Sequence, residues 1–161
     1  MINETLKEQA SELFHQAYEH QMRGELDEAI ALYRKSIDLF PTAEAHTFLC
    51  WTYSFQGRYD EAIEECHRAI GVDPDFGNPY NDIGAYLIEQ GQVEEAIPWL
   101  EKATRAPRYA SRCFPFFNLG RVHEARRHYA KALDSYKHAL REHADYPAAR
   151  CALRRLQAML N

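Results

Sequence analysis

Residues 77–106 have the sequence GNPYNDIGAYLIEQGQVEEAIPWLEKATRA, and this stretch decides the fold. Apolar residues recur at intervals of three and four positions on both sides of Gly91, which is typical of two short amphipathic helices separated by a break. The pattern occurs in four copies, whose second helices carry a small residue at steps of 33, 34 and 36 positions: Ala29, Ala62, Ala96 and Ala132. One helix pair leaves an apolar face uncovered, so the copies are expected to stack on one another. The sequence therefore predicts an all-α repeat protein.

The break between the two helices carries glycine in three copies, at Gly24, Gly57 and Gly91. Glycine suits the left-handed backbone conformation that commonly ends a helix. The fourth copy has Arg127 at this place. Two outcomes are open: Arg127 adopts the left-handed conformation at an energetic cost, or the helix continues and the turn is remodelled.

Motifs within the copies carry a family resemblance. The third copy contains Tyr80-x2-Ile83-Gly84-x2-Leu87 and then Ala96-x3-Leu100, and the fourth contains Phe116-x2-Leu119-Gly120-x2-His123 and then Ala132-x3-Tyr136. This pattern resembles the tetratricopeptide repeat family, whose consensus is aromatic-x2-Leu-Gly-x2-Tyr, then Ala-x3-Phe, then Pro. The resemblance covers about residues 10–146 and implies a right-handed superhelical array of antiparallel helix pairs. We expect one domain over residues 1–161, with repeats at about 10–42, 43–76, 77–110 and 113–146 and a C-terminal capping helix at 147–160.

Composition narrows the class of protein further. A chain of 161 residues with 46% hydrophobic and 27% charged residues is typical of a folded globular domain. No apolar run is long enough to cross a membrane, and the acidic N-terminus lacks the apolar core of a signal sequence. The four cysteines, at positions 50, 66, 113 and 151, show no CxxC spacing. We therefore expect a reduced, cytoplasmic protein without membrane partners.

Enzymatic and metal chemistry find little support in the sequence. It contains no nucleophile elbow, phosphate-binding loop or zinc-protease motif, so we predict no catalytic residues, no cofactor and no enzyme activity. His46, Cys50 and Cys66 are expected to point into the helix pair of the second repeat. Their spacing matches no zinc finger or ribbon, and buried cysteine commonly acts as a small hydrophobic residue, so no metal site is predicted.

Charge is divided unevenly along the chain. Residues 1–104 hold 7 Lys/Arg against 20 Asp/Glu, a formal charge of −13, whereas residues 105–161 hold 12 against 4, a charge of +8. Head-to-tail self-association through these oppositely charged ends is therefore an alternative function, as a structural scaffold. The basic residues lie on several helical faces without a dense run or interleaved stacking aromatics. Nucleic acid is accordingly not expected as a partner.

The resemblance implies that the first helices of the repeats line a concave groove that holds a peptide or protein partner. Mapping the repeat register onto this chain predicts a groove with apolar-anchor sites and a polar end, formed by Phe14, Tyr18, Phe48, Trp51, Phe55, Asn81, Asp82, Phe117 and Arg121. Several of these rings could instead simply pack between neighbouring helices. Some chaperone adaptors of this family carry a carboxylate clamp of Lys, Arg and Asn. The matched places here hold no cation, so chaperone C-terminal tails are not expected partners: Phe14, Tyr18, Phe48, Asn78 and Asp82.

Overall fold

The computed structural model describes residues 1–161, and its regular structure consists of nine α-helices. The predicted all-α class is confirmed. The chain divides into two compact units, unit 1 (Met1–Pro79) and unit 2 (Tyr80–Asn161). The helices are α1 (Ile2–Met22), α2 (Leu26–Leu39), α3 (Ala43–Phe55), α4 (Tyr59–Val72), α5 (Asn78–Glu89), α6 (Val93–Arg105), α7 (Cys113–Ala125), α8 (Tyr129–Glu142) and α9 (Pro147–Leu160). None of them is both long and apolar enough to cross a membrane.

The turn inside each helix pair has the same backbone hydrogen bonds in all four copies. At the second, the N–H of Gly57 donates to the carbonyl of Ser54 at 2.9 Å, and the next N–H reaches back to Tyr53 at 3.0 Å. At the fourth, the N–H of Arg127 donates to the carbonyl of Glu124 at 2.9 Å, and the next N–H reaches back by five residues at 2.8 Å. The φ angle is positive at all four turn positions: Gly24 (78°), Gly57 (72°), Gly91 (78°) and Arg127 (58°). Arg127 therefore keeps the turn geometry and adopts the left-handed conformation.

Small residues allow the two helices of each pair to approach closely. The small residues of the second helices are all fully buried: Ala29, Ala62, Ala96 and Ala132. In unit 2, a Cβ added to Gly84 would lie less than 3.0 Å from the side chain of Leu100, and one added to Gly120 would meet the ring of Tyr136 equally closely. Because each glycine lacks a side chain, it leaves room for a large side chain of the partner helix.

The C-terminal helix α9 completes the apolar core of unit 2. Ala152 and Leu156 of α9 pack in one cluster with Ala132 and Tyr136 of α8. A second link joins three helices, because Glu124 of α7 accepts hydrogen bonds from the Tyr136 hydroxyl at 2.8 Å and from the Arg155 guanidinium at 2.5 and 2.9 Å. Helix α9 thus covers the last pair as a capping helix does.

The Arg112 side chain helps to hold the loop between α6 and α7. The Arg112 guanidinium donates to the carbonyl oxygens of Thr104 at 3.2 Å and Ala106 at 2.8 Å. These bonds satisfy carbonyl groups that the end of α6 leaves without helical partners. Tyr109, in the middle of the loop, is buried. The loop is therefore an ordered part of unit 2.

Candidate functional site

The first helices of unit 1 bring four aromatic rings into mutual contact. Phe14 and Tyr18 lie one turn apart on α1, and Phe48 and Trp51 lie one turn apart on α3. The ring centroid of Phe48 lies 5.0 Å from that of Phe14, 5.8 Å from that of Tyr18 and 4.6 Å from that of Trp51. With Phe55 at the end of α3, these residues form what we call the aromatic surface.

The aromatic surface is neither fully buried nor loosely exposed. The Phe14, Phe48 and Trp51 side chains are half-buried, while Tyr18 is 41% and Phe55 64% exposed. Edge-on and tilted ring pairs at these distances stabilise one another beyond simple area burial. The rings thus pack on each other while Tyr18 and Phe55 remain accessible.

A buried tyrosine of α2 lies beneath the aromatic surface. The ring of Tyr33 is fully buried and contacts both Phe14, at 5.5 Å, and Phe48, at 6.1 Å. Its hydroxyl donates to the Gln21 side chain at 2.7 Å, which also accepts a bond from Thr52 at 3.3 Å. Burial raises the pKa of the Tyr33 hydroxyl, so this group stays protonated and keeps its donor role. Tyr33 holds the aromatic position of the Ala-x3-aromatic motif in the first repeat, and this position is buried.

Unit 2 contains a polar cluster formed by Asn81 and Glu89 of α5 and Asn118 and Arg121 of α7. The Asn118 amide donates to the Asn81 side-chain oxygen at 3.0 Å, and both residues are 7% exposed. The Arg121 guanidinium donates to Asn118 at 3.3 Å and to the Glu89 carboxylate at 2.8 Å. The predicted site residues Asn81 and Arg121 are therefore connected through Asn118. Glu89, which completes the cluster, was not predicted from the sequence.

The other two predicted residues of unit 2 lie outside this cluster. Asp82 is half-buried. The pKa of the Tyr109 hydroxyl is raised, first by burial of that group and second by the negative charge of Asp82. Phe117 packs its ring against the rings of Tyr146, at 5.2 Å, and Tyr136, at 5.7 Å. Phe117 and Arg121 both line an open cavity of about 460 Å³ between α7, α8 and α9. At this cavity Phe117 and Arg121 face accessible space.

The three residues weighed as metal ligands do point into the helix pair of the second repeat. His46 is 6% exposed, and Cys50 and Cys66 are fully buried. They are divided between two contacts, because the imidazole of His46 hydrogen-bonds to the Glu65 carboxylate at 2.7 Å while the sulfur atoms of Cys50 and Cys66 face each other across the helix pair. A separation of 16 residues carries no recognised motif, so the pairing appears only when the helix register is known.

The buried pair of His46 and Glu65 lines a polar cavity of about 320 Å³ in unit 1. Glu65, which is 5% exposed, also accepts a hydrogen bond from Arg68 at 2.5 Å. Arg34 lines the same cavity and donates to the Tyr53 hydroxyl at 2.6 Å. Each of these polar side chains thus has a hydrogen-bond partner, which is the usual condition for burying charged side chains.

Several basic side chains of the C-terminal third are engaged within unit 2. Arg126 forms an ion pair with Glu94 at 2.7 Å, in addition to the contacts already described for Arg112, Arg121 and Arg155. Helix α9 also carries Arg150, paired with Asp145 at 3.0 Å. The excess positive charge found in the sequence is therefore used in part to hold unit 2 together.

Comparison with known proteins agrees with this architecture. Two family models, both described as tetratricopeptide repeat, match residues 55–110 and 116–147, together more than half of the chain. The chain belongs to the tetratricopeptide repeat family. As a tetratricopeptide repeat (TPR) protein it is a protein-interaction module, and members of this family are generally scaffolds without enzymatic activity.

Among curated TPR relatives, the type IV pilus assembly protein PilF of Pseudomonas aeruginosa is 29% identical over 127 residues, which is 78% of this chain and 50% of PilF. The chain thus spans half the length of this relative. A solved structure of P. aeruginosa PilF superposes with a TM-score of 0.88 and 25% identity, covering 96% of this chain and 70% of the other. The structure of PilW, a type IV pilus biogenesis factor, superposes with a TM-score of 0.84 at 20% identity over 93% of this chain and 69% of its own. The likeness to PilW concerns the fold alone.

Proposed function

We propose that this TPR protein binds apolar side chains of a partner protein or peptide on the aromatic surface. The observation that supports this proposal is the combination of mutual ring packing with outward exposure. Rings that hold one another in place lose little further freedom when a ligand binds, which lowers the entropic cost of association. Contiguous exposed apolar groups of this kind commonly mark interaction sites. The 64% exposure of Phe55 extends the surface to the end of α3.

The charge of unit 1 favours a basic partner segment. Residues 1–79 hold six Lys/Arg against fifteen Asp/Glu, a formal charge of −9. Complementary charge accelerates association and discriminates against acidic competitors. Lys or Arg side chains that flank the apolar anchors would also gain from contact with the faces of exposed aromatic rings. The preferred partner is therefore a segment with aromatic or aliphatic anchors beside basic residues.

The predicted residues of unit 2 enter the proposal as a second contact surface. Phe117 and Arg121 offer an apolar and a cationic group beside the open cavity between α7, α8 and α9. Asn81 and Asp82 lie on the neighbouring helix α5, where Asn81 helps to position Arg121 through Asn118. Arg121 keeps its orientation through these bonds, so it is preorganised to meet a carbonyl or carboxylate of the partner.

The test uses peptides selected from a random phage-displayed library on the intact protein. Phe55→Ala and Trp51→Ala should each weaken binding of the selected peptides by about 2 kcal/mol, or roughly thirtyfold, the scale of interface hot spots. Leu39→Ala, on the second helix of the first repeat and 36% exposed, is the matched control and should leave binding unchanged. Affinity is measured by isothermal titration calorimetry and folding by thermal melts.

Two outcomes would contradict the proposal. Unchanged affinity in both aromatic variants would show that the selected peptides bind elsewhere. A strongly lowered melting temperature in Phe55→Ala would show that this exposed ring is part of the core. Trp51→Ala is the less clean variant, because its half-buried ring contacts Phe48. Phe55→Ala therefore decides between binding and packing.

A second candidate function is assembly of a type IV pilus, favoured by the superposition with PilF over nearly the whole chain. In that case the basic, apolar partner segment would belong to a pilus assembly component. The chain can be produced in P. aeruginosa lacking PilF, with surface pili counted by electron microscopy. Restored pili would support the proposal. Absence of pili, with the protein present at normal levels, would refute it. The shared fold would then serve a different function in this protein, as one fold commonly does.

A further inference from the structure

In the repeat register, one residue of each first helix corresponds to the residue 16 positions later on the second helix. In three repeats this pair combines a small residue with a large one, whereas the second repeat has two residues of equal size. The four pairs are Ala17 with Tyr33, Cys50 with Cys66, Gly84 with Leu100 and Gly120 with Tyr136. The cysteine pair therefore stands where the other repeats depend on packing of unequal side chains.

The geometry of this position brings the two cysteines together. In the third and fourth repeats, a Cβ at the small position would lie within 3.0 Å of the opposite side chain. In the second repeat, the Cα atoms of Cys50 and Cys66 are 6.0 Å apart, which is within the range that a disulfide spans. Both residues are fully buried. Once α3 and α4 pair, each sulfur has the other as its neighbour.

We propose that Cys50 and Cys66 form a native disulfide that links α3 to α4 and replaces the packing of a small against a large side chain. The bond forms by thiol–disulfide exchange with an oxidant of the protein-disulfide class. The two thiols release two protons and two electrons, one S–S bond forms, and the oxidant is reduced to its dithiol. Cys113, which is buried, and Cys151, which is exposed, remain thiols.

Complete burial determines when this chemistry takes place. An attacking thiolate must approach a sulfur directly, and neither sulfur is accessible in the paired helices. The disulfide therefore forms while the second repeat folds and resists reductants in the folded protein. Glutathione and thioredoxin oppose such bonds in the cytosol, so the chain folds in an oxidising compartment. An oxidising compartment thus takes the place of the reduced setting expected from the cysteine spacing.

The first test counts thiols in protein secreted into an oxidising compartment. Iodoacetamide labelling in denaturant, read by intact mass, should add two labels without reductant and four after treatment with dithiothreitol. Digestion should give one cross-linked peptide pair that contains Cys50 and Cys66. Four labels without reductant, a different pairing, or a zinc ion retained by these cysteines in native mass spectrometry would each overturn the proposal.

The second test asks whether the bond replaces the packing contact. Cys50→Gly combined with Cys66→Leu copies the pair of the third repeat and serves as the matched variant. Reduction of the disulfide opens the loop between Cys50 and Cys66, which should shift the unfolding equilibrium of the wild-type protein towards the unfolded state by roughly a hundredfold. Dithiothreitol present throughout urea unfolding and refolding should therefore lower the wild-type midpoint and leave the matched variant unchanged. An equal effect on both proteins, or no effect on either, would refute this role.

A further control separates the paired from the free cysteines. Cys113→Ser combined with Cys151→Ser leaves the proposed disulfide intact. This variant should respond to dithiothreitol as the wild-type protein does and should take up no label without reductant. Sensitivity lost in this variant would assign the redox effect to the free thiols and overturn the proposal.

Discussion

Replacing Arg127 by glycine should make the protein more stable. Arg127 has a φ of 58° and makes the same backbone hydrogen bonds as the glycines of the three other turns. For a residue with a side chain, the left-handed conformation costs about 1–2 kcal/mol. The Arg127 side chain is exposed, so its removal loses little packing. The native backbone would keep its geometry and lose this strain.

The expected gain is smaller than the strain itself. Glycine raises the conformational entropy of the unfolded chain, which removes about 0.4–1 kcal/mol of the benefit. We expect a net increase in the free energy of unfolding of about 0.5–1 kcal/mol. For a chain of this length, that corresponds to a melting temperature higher by about 1–4 °C. Urea unfolding followed by circular dichroism measures the same change in an independent way.

Two variants control for the interpretation. Arg127→Ala keeps a Cβ in the left-handed conformation, so it should gain far less than Arg127→Gly. Gly57→Ala introduces the strain at an equivalent turn, where no atom lies within 4 Å of the new Cβ, and should destabilise the protein by about 1 kcal/mol or more. A lower midpoint for Arg127→Gly would refute the reasoning, because it would show that the arginine side chain stabilises this turn by more than the strain costs.

Two more predictions concern unit 2. Gly120→Ala should destabilise the protein more than Gly84→Ala in urea melts, because the new methyl group meets the rigid ring of Tyr136 rather than the more adaptable side chain of Leu100. Equal losses would contradict this. The Glu124→Gln variant tests pH dependence: hydrogen bonds from Arg155 hold the pKa of Glu124 below its ordinary value of 4.5. A lowered folded-state pKa adds stability that is present above the unfolded value and lost as pH falls through the folded one. Melts from pH 6 to pH 2 should therefore show a smaller loss for Glu124→Gln than for wild type, and parallel losses would refute the assignment.

The helix pairs were predictable because their determinants are local. Apolar spacing, the glycine turns and the small residues of the second helices all repeat at nearly constant steps, so each copy supports the others. The conformation of Arg127 could not be predicted from local sequence alone. Propensity alone favours a continued helix at an arginine, yet the backbone follows the other three turns because the surrounding helices fix the geometry.

The candidate site was predictable only in outline. The repeat register identified which residues share a helix face, and the rings of Phe14, Tyr18, Phe48 and Trp51 do meet. It could not show how far each ring is exposed, because exposure depends on neighbours from other helices.

Pairings between helices were missed for the same reason. The contact of His46 with Glu65 and the contact of Cys50 with Cys66 both join α3 to α4 over long separations. Only the distance between two helix faces reveals such contacts.

The shared carboxylate of Glu124 has a consequence for motions near the C-terminus. Terminal helices of stacked arrays commonly open independently, and their amide protons then exchange with solvent long before those of the interior. Here the release of α9 also removes the Arg155 partner from the carboxylate that holds the Tyr136 hydroxyl of α8. Since Ala152 and Leu156 of α9 also pack in one cluster with Ala132 and Tyr136, we expect opening of α9 to loosen α8. The amide protons of the two helices are expected to exchange at similar rates, so the cooperative unit extends through α9.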